Sequence, residues 1–166
     1  MAQITLITDD IIQADRYGIP IIVQQCNCVT LRPLGLALQI ANQLNVNTYS
    51  LRRPSSLYNR CLPTDESQPG TISIHSSNKS LLVANLYAQI GPGKPGKYHL
   101  DTYVNRKQWF DVCLKELHRH LTYNSINRVA FPYGIGCGLA GGKWEDYFQM
   151  IQMNLPGIQV LIFQLN

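Results

Sequence analysis

The stretch FPYGIGCGLAGGKWEDYF, Phe131 to Phe148, decides how the rest of the chain is read. It begins at the end of an apolar run. It then passes through a loop in which five of the nine residues from Gly134 to Gly142 are glycine, and it leaves as an amphipathic segment. Glycine loses more backbone freedom on ordering than any other residue, so a run of glycines is an expensive turn. Backbone without a Cβ can lie close to a ligand. A strand, a glycine loop and a helix N-terminus in succession also present several N–H groups to an anion. The plainer alternative is a tight strand-to-helix connection. The GxxxxGK[ST] spacing of a P-loop is absent.

Outward from this loop, short apolar runs alternate with helical patterns. Val129–Pro132 reads as the strand that feeds it. Trp144, Tyr147, Phe148 and Ile151 fall on one helical face after it, and Val160–Phe163 reads as a last strand. Towards the N-terminus, Asp101 to Leu121 reads as a long helix with Phe110, Cys113, Leu114, Leu117 and Leu121 inward and Asp101 as its N-cap. Ile90–Tyr98 has no periodicity and reads as a loop. Thr71–His75 and Leu81–Leu86 form a predicted hairpin across Ser76–Ser80. Residues 45–69 are polar and read as loops with a short helix. Ala37, Ile40, Ala41 and Leu44 share a helical face, while Pro20–Gln24 and Ile4–Ile7 read as strands.

The predicted order is β-β-α-β-β-α-β-α-β. Strands separated by helices imply a largely parallel sheet, and the hairpin makes it mixed. The predicted fold class is α/β, a three-layer α/β/α sandwich built as one domain over 1–166. Ligands of such folds bind outside the carboxyl ends of the strands. The loops after Pro20–Gln24 and Val129–Pro132 are therefore the expected crevice.

Composition limits the function. The chain has 166 residues, 45% of them hydrophobic and 14% charged, with a net charge of +4. It is long enough to bury a core. The positive balance suits an anionic ligand, but the basic residues are scattered as on an ordinary solvated surface. The five cysteines, Cys26, Cys28, Cys61, Cys113 and Cys137, are odd in number and follow no signal peptide. They read as free thiols in a reducing cytoplasm, with access to the nucleus left open. Cys26 and Cys28 have no second ligand pair at zinc spacing, so no metal is expected. No apolar run approaches a membrane span.

Two loops and the N-terminal strand resemble the macro domain family. QQCNCVTLRPLGLALQIA (Gln24–Ala41) is similar to its first ligand loop, PYGIGCGLAGGKWE (Pro132–Glu145) to its second, and ITLITDDIIQAD (Ile4–Asp15) to its opening strand and turn. The resemblance spans nearly the whole chain. It is nearest the branch of ADP-ribose 1''-phosphate phosphatases and terminal ADP-ribose glycohydrolases.

The resemblance implies a pocket for ADP-ribose or an ADP-ribosylated ligand, with no cofactor and with nucleic acid only as an ADP-ribosylated substrate. Asp10 would take the adenine amino group, helped by the Ile11 backbone. Asn27 and Gly35 would lie by the distal ribose. Gly134, Ile135, Gly136, Cys137, Gly138, Leu139 and Ala140, in the stretch up to Gly141, would wrap the diphosphate and the distal ribose with backbone N–H groups. Each role has a structural rival: Asp10 can cap a turn, Asn27 can satisfy loop backbone, Trp144 can be core, and Tyr98 and Tyr133 can pack rather than stack on ligand.

The chain departs from that pattern in two places. Between Asn27-Cys28 and the Ala37 helix only Gly35 remains of several glycines, and Pro33 stiffens the loop. Arg32 can add a phosphate contact or lie on the surface. The glycohydrolase branch uses a lysine and an aspartate, which align here with Gln89 and Ala140. Glutamine is no nucleophile and alanine carries no proton, so covalent lysine catalysis is disfavoured unless Lys94 or Lys97 enters from the adjoining loop.

The remaining catalytic candidates are Asn27, for stabilising charge, and His99, for proton transfer. His75, His118 and His120 read as peripheral. The leading expectation is hydrolysis of ADP-ribose 1''-phosphate to ADP-ribose and phosphate. De-ADP-ribosylation of protein or nucleic acid and non-catalytic reading of ADP-ribose are its rivals.

Overall fold

In the computed structural model, which describes residues 1–166, the strands are β1 (Gln3–Thr8), β2 (Ile21–Asn27), β3 (Thr71–Ser76), β4 (Leu82–Gln89), β5 (Arg128–Pro132) and β6 (Gln159–Gln164). The helices are α1 (Leu36–Leu44), α2 (Tyr103–Tyr123) and α3 (Trp144–Asn154). The six strands form one sheet in the order β1-β6-β5-β2-β4-β3. Only β3 runs antiparallel to its neighbour, so the sheet is mixed as the hairpin implies.

Strand side chains alternate between two cores, as the pleat requires. Ile21 and Val23 join Leu86, Val129, Phe131, Val160 and Ile162 under α2 and α3. Ile22 joins Val83, Ala130, Leu161 and Phe163 under α1 and a 3-10 helix at Ile11–Tyr17. The central strands β2 and β5 are buried along nearly their whole length because both faces are covered, although β2 ends in the polar residues Gln24, Gln25 and Asn27 towards the site. Edge strand β1 is mostly exposed, with only Ile4 and Ile7 half-buried.

The structure corrects the start of α2. Thr102 is the N-cap, its hydroxyl accepting from Asn105 N at 3.0 Å. Asp101 instead turns inward, 1% exposed, and pairs with Arg106. The inward stripe predicted for α2 holds from Phe110 to Leu121, and Arg106 extends it by one turn. On α3, Tyr147 and Ile151 are buried, while Trp144 and Phe148 are half-buried and stack edge-on at 5.7 Å. The 3-10 helix at Ile11–Tyr17 lies where the sequence showed only a turn. The short helix expected within 45–69 is a single 3-10 turn, Pro63–Asp65. No helix is long and apolar enough to cross a membrane.

Candidate functional site

A cavity of about 300 Å³ opens at the carboxyl ends of β2, β4 and β5. Its wall is drawn from both expected loops, with additions from the segment between α1 and β3. The strand ends are offset by a bulge: Cys26 pairs with Tyr87, but Asn27 pairs with Gln89. This offset brings Asn27 and Gln89 together at the rim of the sheet, where both line the cavity.

Every residue from Gly134 to Ala140 lines this cavity. The loop ties itself with bonds from Ile135 N to Pro132 O, Cys137 N to Gly134 O and Gly142 N to Gly136 O. The N–H groups of Gly134, Gly136, Gly138, Leu139 and Ala140 have no acceptor in the chain. Gly138 and Leu139 are exposed and their N–H groups are open to water, but Gly134, Gly136 and Ala140 are half-buried, where a donor normally finds an acceptor; free donors beside a cavity suit an acceptor-rich ligand.

Glycine is required at position 136. Its φ is +75°, and a Cβ there would lie 2.5 Å from Tyr147 Cε2 and 3.0 Å from Gln25 Oε1. Gly136, Gly138 and Gly141 also match the GxGxxG spacing of dinucleotide loops. That fingerprint calls for an acid near the end of the next strand, where β6 has Gln164.

The opposite wall is α1. Gly35 is its N-cap, with φ 56° and no side-chain cap. The N–H groups of Leu36 and Ala37 therefore have no acceptor, and both residues line the cavity. Two sets of free donors thus face one space, one of them reinforced by a helix N-terminus.

The first loop is built differently. Asn27 Oδ1 accepts from Val29 N at 3.0 Å and Thr30 N at 2.9 Å, and its Nδ2 donates to Thr30 Oγ1 at 2.9 Å. Leu31 N donates to Asn59 Oδ1. Asn27 thus performs the loop-satisfying role that rivalled ligand contact, while still lining the cavity.

Behind it lies Arg52, 9% exposed. Its Nη1 donates to Thr30 O at 2.8 Å and its Nη2 to Asn27 O at 2.9 Å and Ser67 Oγ at 2.8 Å. The guanidinium lies 4.2 Å from the Tyr49 ring centroid.

The glycine loop has its own arginine. Arg106, 1% exposed, donates Nε to Asp101 Oδ1 at 2.7 Å and Nη2 to Asp101 Oδ2 at 2.8 Å. It also reaches the carbonyls of Gly91, Gly93 and Ala140. Burial pushes the Asp101 carboxyl up. The Arg106 hydrogen bonds and the N–H groups of Gly91 and Ile90 outweigh this and hold it below its ordinary value.

Gln89 donates Nε2 to Gly91 O at 2.9 Å and accepts from Gln25 Nε2 at 2.7 Å. It is a buried structural amide. Lys94 and Lys97 do not line the cavity.

The other expected residues separate. Asp10 and Ile11 do not line the cavity; Asp10 Oδ1 caps the 3-10 helix by accepting from Ile12 N at 3.0 Å. Gly35 is at the edge through its helix rather than in the wall. His99 is exposed and outside the cavity, so the structure gives it no partner for proton transfer there. Tyr133 lines the cavity and packs 4.9 Å from Trp144, whereas Tyr98 lies outside against Arg60. Arg32 lines the mouth and sits 5.3 Å over the Tyr58 ring.

Sequence reasoning missed Arg52, Arg106, Thr30, Tyr49, Asn59 and Gln25. Only Arg106 left a signal, since it falls four residues before Phe110 on the inner stripe of α2.

No protein-family model matches the sequence, and no curated protein matches it. Solved structures do match in shape. The macrodomain of Mycobacterium tuberculosis DarG aligns with a TM-score of 0.71 at 22% identity, covering 98% of each chain. The macrodomain of Thermus aquaticus DarG aligns at 0.68 and 18%, covering 99% of each. Thermosipho africanus DarTG, solved in complex with ADP-ribose, aligns at 0.62 and 16%, over all of this chain and 42% of that one. The β-β-α-β-β-α-β-α-β order, the mixed sheet and these alignments agree: the chain has the macrodomain fold.

Proposed function

We propose that the cavity binds ADP-ribose and that the chain is a member of the macro domain family acting on an ADP-ribose derivative, most simply ADP-ribose 1''-phosphate. One observation carries the binding. Free N–H groups from Gly134 to Ala140 and from Leu36 and Ala37 face each other across a cavity with no carboxylate in its wall. A diphosphate supplies the acceptors and the charge that such a space lacks. The structure of a fold relative with ADP-ribose supports the choice of ligand.

The wall offers amides, hydroxyls and Arg32, but no Asp, Glu, His or Lys. Hydrolysis then relies on positioning and on the substrate's own phosphates. Water adds to the terminal phosphorus, the bond from phosphorus to the 1''-oxygen breaks, and a proton from the water ends on that oxygen. The same lack of an acid or a base in the wall favours a second reading, a domain that holds ADP-ribose without turnover.

Calorimetric titration with ADP-ribose, with ADP and AMP as controls, tests the pocket. Tighter binding of ADP-ribose than of ADP is expected; no binding at millimolar ligand would refute it. Phosphate release from ADP-ribose 1''-phosphate then separates the enzyme from the reader.

A further inference from the structure

We propose that the outer edge of β1 is a self-association surface, on which a second copy of this chain adds its own β1 antiparallel and joins the two sheets into one. β1 ends the sheet on one side and has only β6 as a neighbour. Its register with β6 runs unbroken from Gln3 to Thr8, so no bulge turns the edge away. Outside that ladder, no backbone group from Ile4 to Thr8 has a hydrogen-bond partner in the chain. The groups that point away from β6 are therefore open. Edges are normally guarded by charge, proline or a bulge, and the six residues QITLIT contain neither charge nor proline. Leu6 is 67% exposed on this edge. The other edge differs: β3 turns Ile72 and Ile74 to the core and carries the polar Ser73, His75 and Ser76.

An open strand edge is satisfied by another strand, and the strand that fits here is β1 itself. A two-fold axis perpendicular to the sheet keeps each face of the joined sheet on one side, so opposed residues must share parity along the strand. Centred on Thr5, the pairing sets Ile4 against Leu6 of the partner subunit and Gln3 against the partner's Ile7. Ile4 packs on the core beneath α2 and α3, so Leu6 of the partner subunit extends that core instead of lying in water. Centring on Leu6 would set Ile4 against the partner's Thr8, a poorer match. α3 borders the same place: Ala2 N donates to Gln152 O at 2.8 Å, and the neighbouring Met153 is 58% exposed. No charged residue lies within the paired strand, and the carboxylates of Asp9 and Asp10 fall at opposite ends of the joint, so no like charges meet.

Each copy uses its own β1, so the pairing closes at two chains and builds no filament. β6 lies between β1 and β5, and the cavity at the ends of β2, β4 and β5 stays open in both copies.

Sedimentation equilibrium over a range of concentrations tests this on the wild type, Leu6→Lys and Leu57→Lys. The wild type should pass from the mass of one 18.7 kDa chain to twice that mass as concentration rises. Leu6→Lys removes an apolar pair from each half of the joint and should raise the dissociation constant roughly tenfold. Its thermal midpoint at low concentration should match the wild type, because Leu6 is exposed in the single chain. Leu57→Lys changes a similarly exposed leucine between α1 and β3 and should associate as the wild type does. The register has its own test. Under mild oxidation Thr5→Cys should bridge two copies, since an opposed pair brings its Cα atoms to about 4.5–5.5 Å. Leu6→Cys, displaced from the axis, should not bridge. The wild type, whose cysteines are buried or half-buried, is the control.

A single-chain mass at every concentration up to the solubility limit overturns the proposal. So does association that Leu6→Lys leaves unchanged, or bridging through Leu6→Cys but not through Thr5→Cys. No ligand enters these measurements, so their outcome is separate from whether the cavity binds ADP-ribose.

Discussion

The two loops that wall the cavity are each held from behind by a buried arginine, yet they are held differently. Arg106 under the glycine loop is neutralised by Asp101, and every N–H of its guanidinium has an acceptor. Arg52 under the first loop has no acid and an idle Nε. The loops themselves are opposite. The glycine loop keeps free N–H groups, while every N–H of the Asn27–Leu31 loop has an acceptor, on Tyr49, Ile90, Asn27 or Asn59. One wall therefore leaves donors free and is electrically quiet behind. The other is closed in hydrogen bonding, and its arginine rests on the Tyr49 ring instead of an acid.

The sharpest way to break this contrast is to delete both arginines in turn. Arg106→Met strands a buried carboxylate and should cost about 3–5 kcal/mol in urea unfolding. Arg52→Met strands no acid, only two carbonyls, and should cost about 1–3 kcal/mol. Equal losses would mean that Asp101 does not distinguish the two sites.

A smaller effect is expected in the glycine loop. Gly136→Ala must hold φ near +75° with its methyl against Tyr147, which should cost about 1–3 kcal/mol and abolish the stabilisation of the fold by ADP-ribose. A thermal shift with ligand equal to that of the parent would remove this loop from the phosphate path.

Acid sharpens the comparison further. Because Asp101 in the fold lies below its ordinary value of 3.8, its contribution is complete above that value and is lost as pH falls through the lower folded value. The thermal midpoint should drop on that limb in the wild type and more shallowly in Asp101→Asn, which starts lower. Arg52 adds nothing to this limb, since it pairs with no carboxylate. The smallest effect belongs to Gly138→Ala, where φ is ordinary and a Cβ meets nothing within 4 Å; stability should stay within about 0.5 kcal/mol.

Much of this was legible in advance. Short apolar runs and the 3.6 period placed all six strands and three helices, because burial on one or both faces writes itself into the residues along an element. Five glycines after an apolar strand pointed to the loop where the free donors now lie. The miss at Asp101 is instructive. An acid before a helix reads as a cap, but Thr102 is one residue closer and the carboxylate is claimed by Arg106. Asp10 is the reverse case: its side chain makes the local bond, which any Asp before a turn can make, and it does not line the cavity.

By itself, then, the sequence determined the order of elements, the mixed parallel sheet and the place of the glycine loop, since each depends on residues near one another along the chain. Only the tertiary structure decided that Arg52 and Arg106 brace the two walls, that Gln89 is locked between Gln25 and the Gly91 carbonyl, and that His99 lies outside. Those facts join residues up to 64 positions apart in a single bond, as from Gln25 to Gln89. Burial without periodicity and charge without a sequence neighbour leave no local pattern, so they emerge only when the chain has closed on itself.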